Sequence, residues 1–275
     1  MATTFDLNTP NAAPLHGVEW LAESPKAVLA LVHGHGEYTE RYDHLASFLN
    51  GHGISVMGMD LPGHGRSPGK RGHFKSYEGV LNQVAALIDR AKATHPGLPV
   101  FLMGHSMGGN LVASFALRRQ PSLSGVILSS PWLELAFAPS TVDVMLAKVM
   151  INIWPSFTQS SKLDATAISR DPALVKAYEE DPLIHDQVSP RLFTDVTQAG
   201  SEVLQHANDW NLPLLVYQGD ADRITSHDAS AKFAATAGGG DVTWHSWPGG
   251  YHEMHNEPEK QAVFELLYRW INERV

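Results

Sequence analysis

Six short apolar runs, each bounded by turn residues, set the architecture open to this chain: Ala27 to Val32, Ile54 to Met59, Val100 to Met103, Val126 to Leu128, Leu214 to Tyr217 and Val242 to Trp247. Runs of that length and composition read as strands. Helix-length segments alternate with them: Thr39 to Asn50, Tyr77 to Thr94, Asn110 to Arg119, His227 to Thr236 and Pro258 to Glu273. In the second of these, Val80, Leu81, Val84, Leu87 and Ile88 recur at helical spacing and mark one buried face. Strands alternating with helices imply a mostly parallel sheet covered on both faces, the α/β class.

The rhythm breaks between 131 and 211, where several helix-length pieces occur without a convincing strand. At 275 residues the chain can hold one large domain with an insertion. The expected division is therefore a core of residues 1–130 and 212–275 carrying a helical cap, or lid, of residues 131–211. Within that cap Val142 to Trp154 is rich in Met, Ile, Leu and Val. A lid over an apolar site predicts this composition, and so does a helix packed on the main domain.

Twenty Lys and Arg stand against 29 Asp and Glu, a formal charge of −9 with no basic cluster, which argues against nucleic-acid binding. There are no cysteines, so disulfides, thiolate metal sites and a cysteine nucleophile are excluded. Met1 to Pro14 lacks the basic and apolar regions of a signal peptide, and no run approaches the ~18 apolar residues of a membrane span. The expectation is a soluble cytoplasmic protein, with peripheral membrane contact through the cap left open. Oligomeric state is not legible.

The third apolar run ends in Gly104-His105-Ser106-Met107-Gly108-Gly109 and leads into a helical segment. A serine between glycines, placed between strand and helix, fits the sharp turn known as the nucleophile elbow. Ser106 is the candidate nucleophile. A serine hydroxyl needs a base, and the base needs an orienting carboxylate. The loop after Leu214 to Tyr217 holds Gly219-Asp220-Ala221-Asp222, and the loop after Val242 to Trp247 holds Gly250-Tyr251-His252. Both follow a strand's C-terminal end, where open α/β sheets place their ligands. Asp220 and Asp222 compete for the acid. Asp222 is preferred because its spacing lets it turn back toward His252, whereas Asp220 suits a turn cap.

An oxyanion needs backbone donors as well. One is expected from Met107 and the other from His35, in the turn His33-Gly34-His35-Gly36 after the first run. Metal binding by His33 and His35 is disfavoured, since no third ligand motif lies nearby.

These motifs, together with Asp60-Leu61-Pro62-Gly63-His64-Gly65-Arg66-Ser67 and Gly249-Gly250-Tyr251-His252-Glu253-Met254-His255, resemble the monoacylglycerol lipase and lysophospholipase-like branch of the α/β-hydrolases, of serine aminopeptidase S33 type. The resemblance covers nearly the whole length and is weakest in the insertion. It implies an α/β-hydrolase fold with a helical cap, a triad of Ser106, Asp222 and His252, and oxyanion donors at His35 and Met107. It also matches Glu37, Arg41 and His255 to the polar residues that surround a glycerol head group. Glu37 and Arg41 are four apart and also suit a helical ion pair. Histidine at 35 departs from the small or aromatic residue common there.

The function these residues imply is hydrolysis of a small lipid ester, foremost a monoacylglycerol, with no cofactor and no metal. The alternatives are a lysophospholipase, an esterase or thioesterase using the same triad, and a catalytically silent hydrolase fold used for binding.

Overall fold

The computed structural model describes residues 2–10 and 12–275. Met1, Asn11 and the side chains of Val142 and Asp143, which fall in two of the stretches read above, lie outside the described residues. The strands are β1 (Ala2–Leu7), β2 (Leu15–Trp20), β3 (Ala27–Val32), β4 (Ile54–Met59), β5 (Val100–His105), β6 (Gly125–Ser129), the two-residue β7 (Gln159–Ser160) and β8 (Gln187–Val188), β9 (Leu214–Gly219) and β10 (Val242–Trp247). The helices are α1 (Asp43–Gly51), α2 (Tyr77–Thr94), α3 (Met107–Arg119), α4 (Thr141–Ile153), α5 (Pro172–Glu180), α6 (Pro190–Gln205), α7 (His227–Thr236) and α8 (Lys260–Asn272).

Eight strands form one sheet in the order β1-β2-β4-β3-β5-β6-β9-β10. β1 and β2 pair antiparallel, β2 joins β4 antiparallel, and every other neighbour is parallel. Because side chains alternate along a strand, β3 sends Val28, Ala30 and Val32 into one core and Ala27, Leu29 and Leu31 into the other. The first core is covered by α2, α3, α6 and α7, the second by α1 and α8. A strand buried on both faces has no polar side to show, which is why β3 is apolar throughout.

The hairpin β1–β2 escapes the apolar-run signal. Residues 2–4 are exposed at the sheet edge, and Gly17 interrupts β2 because a Cβ there would overlap the Phe5 ring. Helix α3 starts at Met107, three residues earlier than its apolar pattern suggests. Gly108 and Gly109 are helical despite poor propensity, for a reason that emerges at the site.

Between β6 and β9 lie α4, α5, α6 and the small antiparallel ribbon β7–β8. Helix α6 starts at Ser189, whose hydroxyl accepts from the Leu192 N–H, with Pro190 following it. It buries Leu192, Val196, Ala199 and Val203 in the larger core against α3. Burial of each larger side chain is worth ~2 kcal/mol. α4 packs on α6 in turn. Among the described residues no helix is long and apolar enough to cross a membrane.

Candidate active site

Every parallel strand ends at the same sheet edge, so the loops after β3, β5, β6, β9 and β10 converge there. Ser106 occupies the turn from β5 to α3 with φ 53° and ψ −117°, a strained conformation for a residue with a side chain. The flanking glycines permit it. A Cβ on Gly104 would overlap the Gly108 carbonyl, one on Gly108 the carbonyls of Val32 and His33, and one on Gly109 would lie 2.8 Å from Pro131 Cβ. The turn is pinned on both sides: the Ser106 N–H donates to Ser129 O at 2.9 Å, and Ser106 O accepts from the N–H groups of Trp132 and Asn110.

Asp222 and His252, from the loops after β9 and β10, meet each other. His252 Nδ1 lies 2.8 Å from Asp222 Oδ2, which also accepts from Gln218 Nε2 at 2.8 Å and Thr225 Oγ1 at 2.9 Å. The other carboxylate oxygen takes the N–H groups of Ile224 and Thr225. Burial would raise the pKa of Asp222, but the imidazole charge and these donors outweigh it and hold the carboxyl below its usual range. Burial likewise works to lower the pKa of His252, and the Asp222 charge and hydrogen bond overcome it, so the imidazole sits above 6.5. Asp220 is exposed, with Oδ1 accepting from the Gly249 N–H at 2.6 Å, and so caps a turn. Ser130, at φ 42°, links the loops: its hydroxyl donates to His252 O and its N–H to Tyr217 O.

Ser106, His252 and His35 line one cavity of about 730 Å³. Leu135, Phe137, Leu146, Met150, Phe193 and Ile224 make much of it apolar, all but the last contributed by residues 131–211. The N–H groups of His35 and Met107 have no protein acceptor among the described residues. His33 commits both ring nitrogens to backbone, Nδ1 to Gly34 O and Nε2 to the Leu61 N–H, so it is not free to hold a metal with His35.

The three head-group candidates are dispersed differently. Glu37 stands on the cavity wall, whereas Arg41 lines a separate recess of about 280 Å³ and His255 is fully buried behind both, its ring stacked on Tyr42 at 4.5 Å. Arg41 forms the helical ion pair with Glu37 at 2.7 Å and a two-pronged bond to Glu253 at 2.8 and 2.6 Å. The Tyr178 ring of α5 lies 5.0 Å from its guanidinium. Glu253, which also lines the cavity, was missed in the sequence because it follows the histidine motif and has no spacing signal of its own. Burial works to raise its pKa, but Arg41 holds it well below the carboxylate range.

The model of the family described as serine aminopeptidase, S33, matches residues 23–259. The chain belongs to this family. The S33 hydrolase is 36% identical over 248 residues to a monoacylglycerol lipase of Mycolicibacterium smegmatis, covering 90% of this chain and 88% of the relative. A phospholipase of Bacillus subtilis is 32% identical, with 93% and 99% covered. The crystal structure of a Paleococcus ferrophilus monoacylglycerol lipase superposes on the S33 hydrolase with a TM-score of 0.88 at 34% identity, over 95% of this chain and 99% of that one. The mostly parallel sheet is that of the α/β-hydrolases, as the sequence implied.

Proposed function

We propose that this serine hydrolase is a monoacylglycerol lipase, with Ser106, Asp222 and His252 as its triad. The observation that carries the reading is that Ser106 and His252, the latter bonded to Asp222, line one largely apolar cavity whose wall also holds Glu37 and Glu253. His252 Nε2 takes the Ser106 proton as Oγ bonds to the ester carbonyl. The oxyanion is received by the N–H groups of His35 and Met107, the latter at the positive N-terminus of α3. Collapse breaks the ester bond, and glycerol leaves with the proton from His252. Water, deprotonated by His252, then releases the fatty acid and restores Ser106. No cofactor enters these steps.

The head-group assignment rests on unused lone pairs. Glu37 Oε1 accepts from Gly34 N–H and Tyr42 O–H, while Oε2 accepts only from Arg41. Glu253 Oε1 likewise accepts only from Arg41, and its Oε2 takes Arg41 and Asn256. Each carboxylate keeps one acceptor site, and a glycerol ester has two hydroxyl donors to offer. Arg41 and His255 then act from behind, holding Glu37 and Glu253 rather than touching the substrate. A lysophospholipid phosphate would need a cation at this end, and the Arg41 charge is already spent on two carboxylates.

In this reading residues 131–211 are the cap over the core of 1–130 and 212–275. Leu146 and Met150 of α4 line the cavity, Leu146 being also 48% exposed, and Met145, Val149, Ile153 and Trp154, off the cavity, are 63%, 54%, 72% and 54% exposed. That outer patch is the face for peripheral contact with the lipid surface that supplies the substrate.

Ser106→Ala is expected to abolish hydrolysis of a p-nitrophenyl ester with the fold intact. Rates on glyceryl monoesters of increasing chain length, set against lysophosphatidylcholine, test the substrate. A clear preference for the phospholipid overturns the monoacylglycerol assignment.

A further inference from the structure

The loop that carries His35 has glycine on both sides, with Gly36 at φ +79°. It is tied at two points that flank His35. On one side the Gly34 N–H donates to Glu37 Oε1 at 2.6 Å, within the core. On the other, Gly36 O accepts from the His185 N–H at 3.0 Å, and His185 belongs to the insertion. The contact is close, since a Cβ at Gly36 would overlap the His185 carbonyl.

The side chains repeat the link. The His185 ring lies 5.6 Å from that of His35 and 4.7 Å from that of His64, and the His35 and His64 rings are 5.6 Å apart. His185 Nδ1 accepts from the Gln187 N–H, and His64 Nδ1 pairs with Pro62 O. The remaining nitrogens, both of His35 and the Nε2 atoms of His64 and His185, are buried without a hydrogen-bond partner among the described residues. The three rings therefore pack as neutral aromatic groups. Burial lowers all three pKa values, that of His185 to about 4 and that of His35 to about 3, against weaker opposing pulls from Asp186 on His35 and His185 and from the Pro62 carbonyl on His64. His33 and Arg71, the charged or titratable neighbours on the core side, push the same way as burial. Four residues on, the Ser189 N–H donates to Gly72 O at 2.9 Å, so the strap 185–189 is fastened to the core at both ends.

We propose that His185 is a positioning residue for the oxyanion donor: its N–H holds Gly36, and its ring braces His35 against His64, so that the insertion completes the loop presenting the His35 N–H. The inference rests on the reading of that N–H as an oxyanion donor. A single such donor changes kcat by ~10²–10³, so a loop displaced by a fraction of an ångström forfeits a measurable part of it. The insertion then does more than cover the acyl chain. Its strap is part of what makes the core competent.

The test is His185→Ala and His185→Phe, assayed on p-nitrophenyl acetate, which is too short to use the cap's apolar wall, and on a long-chain monoester. Loss of the ring in H185A is expected to lower kcat by about 10-fold on both esters, with KM changed by less than about twofold, and to slow fluorophosphonate labelling of Ser106 in parallel. H185F keeps the ring and is expected to recover kcat to within about threefold of the parent. A kcat unchanged on the acetate, with KM raised only for the long-chain ester, overturns the proposal and leaves His185 as part of the acyl wall. Equal loss in H185A and H185F also overturns it. Failure of the unmodified protein to label at Ser106 would instead refute the hydrolase reading on which the proposal stands.

Discussion

Asp222 and Asp220 are two residues apart, yet only Asp222 reaches His252, with Oδ2 at 2.8 Å from Nδ1, while Asp220 spends its carboxylate on the Gly249 N–H. Asp222→Asn puts an amide where five donors converge and loses the imidazole's orientation. The expected cost is ~10³–10⁴ in kcat with the fold retained. Asp220→Asn is expected to stay within about twofold. Steady-state rates of the two variants on one p-nitrophenyl ester decide between them, and a larger loss in the second would reverse the assignment of the acid.

The same pair sets the pH dependence. His252 acts as base only when neutral, and Asp222 raises its pKa despite burial, so kcat/KM should climb with pH through a midpoint above 6.5. In D222N burial is opposed only by the more distant charges of Glu253 and Glu37, and the residual activity should titrate at lower pH. The stability linkage has the opposite sense for the two partners. The raised His252 contributes stability that is present below ~6.5 and lost as pH rises through its folded value. The lowered Asp222 contributes stability that is present above ~3.9 and lost as pH falls. A rate profile for the parent with its midpoint below 6.5 would contradict the geometry.

Gly108 lies where β5 turns into α3, and a Cβ there would overlap the carbonyls of Val32 and His33. Gly108→Ala improves helix propensity by ~1 kcal/mol, yet the overlap is with backbone that cannot yield. The net expectation is a loss of at least ~2 kcal/mol in urea unfolding, with activity reduced because Ser106 is displaced. A stabilised variant would show that the turn has slack.

Arg41 is the shared counter-ion of Glu37 and Glu253, both buried. Arg41→Met leaves two buried carboxylates without the cation they share, at an expected cost of ~3–5 kcal/mol near pH 8. Without Arg41 the folded Glu253 carboxyl rises, so the deficit should shrink as pH falls and protonation relieves it. Melting temperatures of parent and variant at two pH values measure this. A deficit that grows at low pH would show that the network does not carry the charge balance.

Met145→Ser, Val149→Ser, Ile153→Ser and Trp154→Ser together remove the exposed apolar side chains of α4 and its end that do not line the cavity. Binding to phosphatidylcholine vesicles is expected to fall by about 10-fold or more, since each side chain contributes ~1 kcal/mol or more at an interface. Turnover of a water-soluble short ester should be unchanged. Undiminished vesicle binding would move the contact face elsewhere.

Legibility in the sequence followed the reach of the interactions concerned. Strands β3 to β6 and β9 were visible because a strand buried on both faces is apolar at nearly every position, whereas the half-buried edge strand β10 showed through Val242, Trp244 and Trp247 alone. The hairpin β1–β2 was not, because an edge strand is free to be polar and Gly17 answers to Phe5 rather than to its own strand. Ser106 was visible through glycines whose reason is steric and local. Glu253 was invisible: its partner Arg41 is 212 residues away, and nothing in the local pattern distinguishes a buried carboxylate from a solvated one.

By itself, then, the sequence determined the six parallel strands of the sheet, the strand-to-helix turn at Ser106 and the chain order of serine, aspartate and histidine, since periodicity and the small size of glycine act over a few residues. Only the tertiary structure decided that Asp222 rather than Asp220 meets His252, that Glu37 faces the cavity while Arg41 and His255 stand behind it, and that His185 of the insertion closes on the loop of His35. Those outcomes depend on where distant loops are brought by packing, and on which buried charges find a partner when water is excluded.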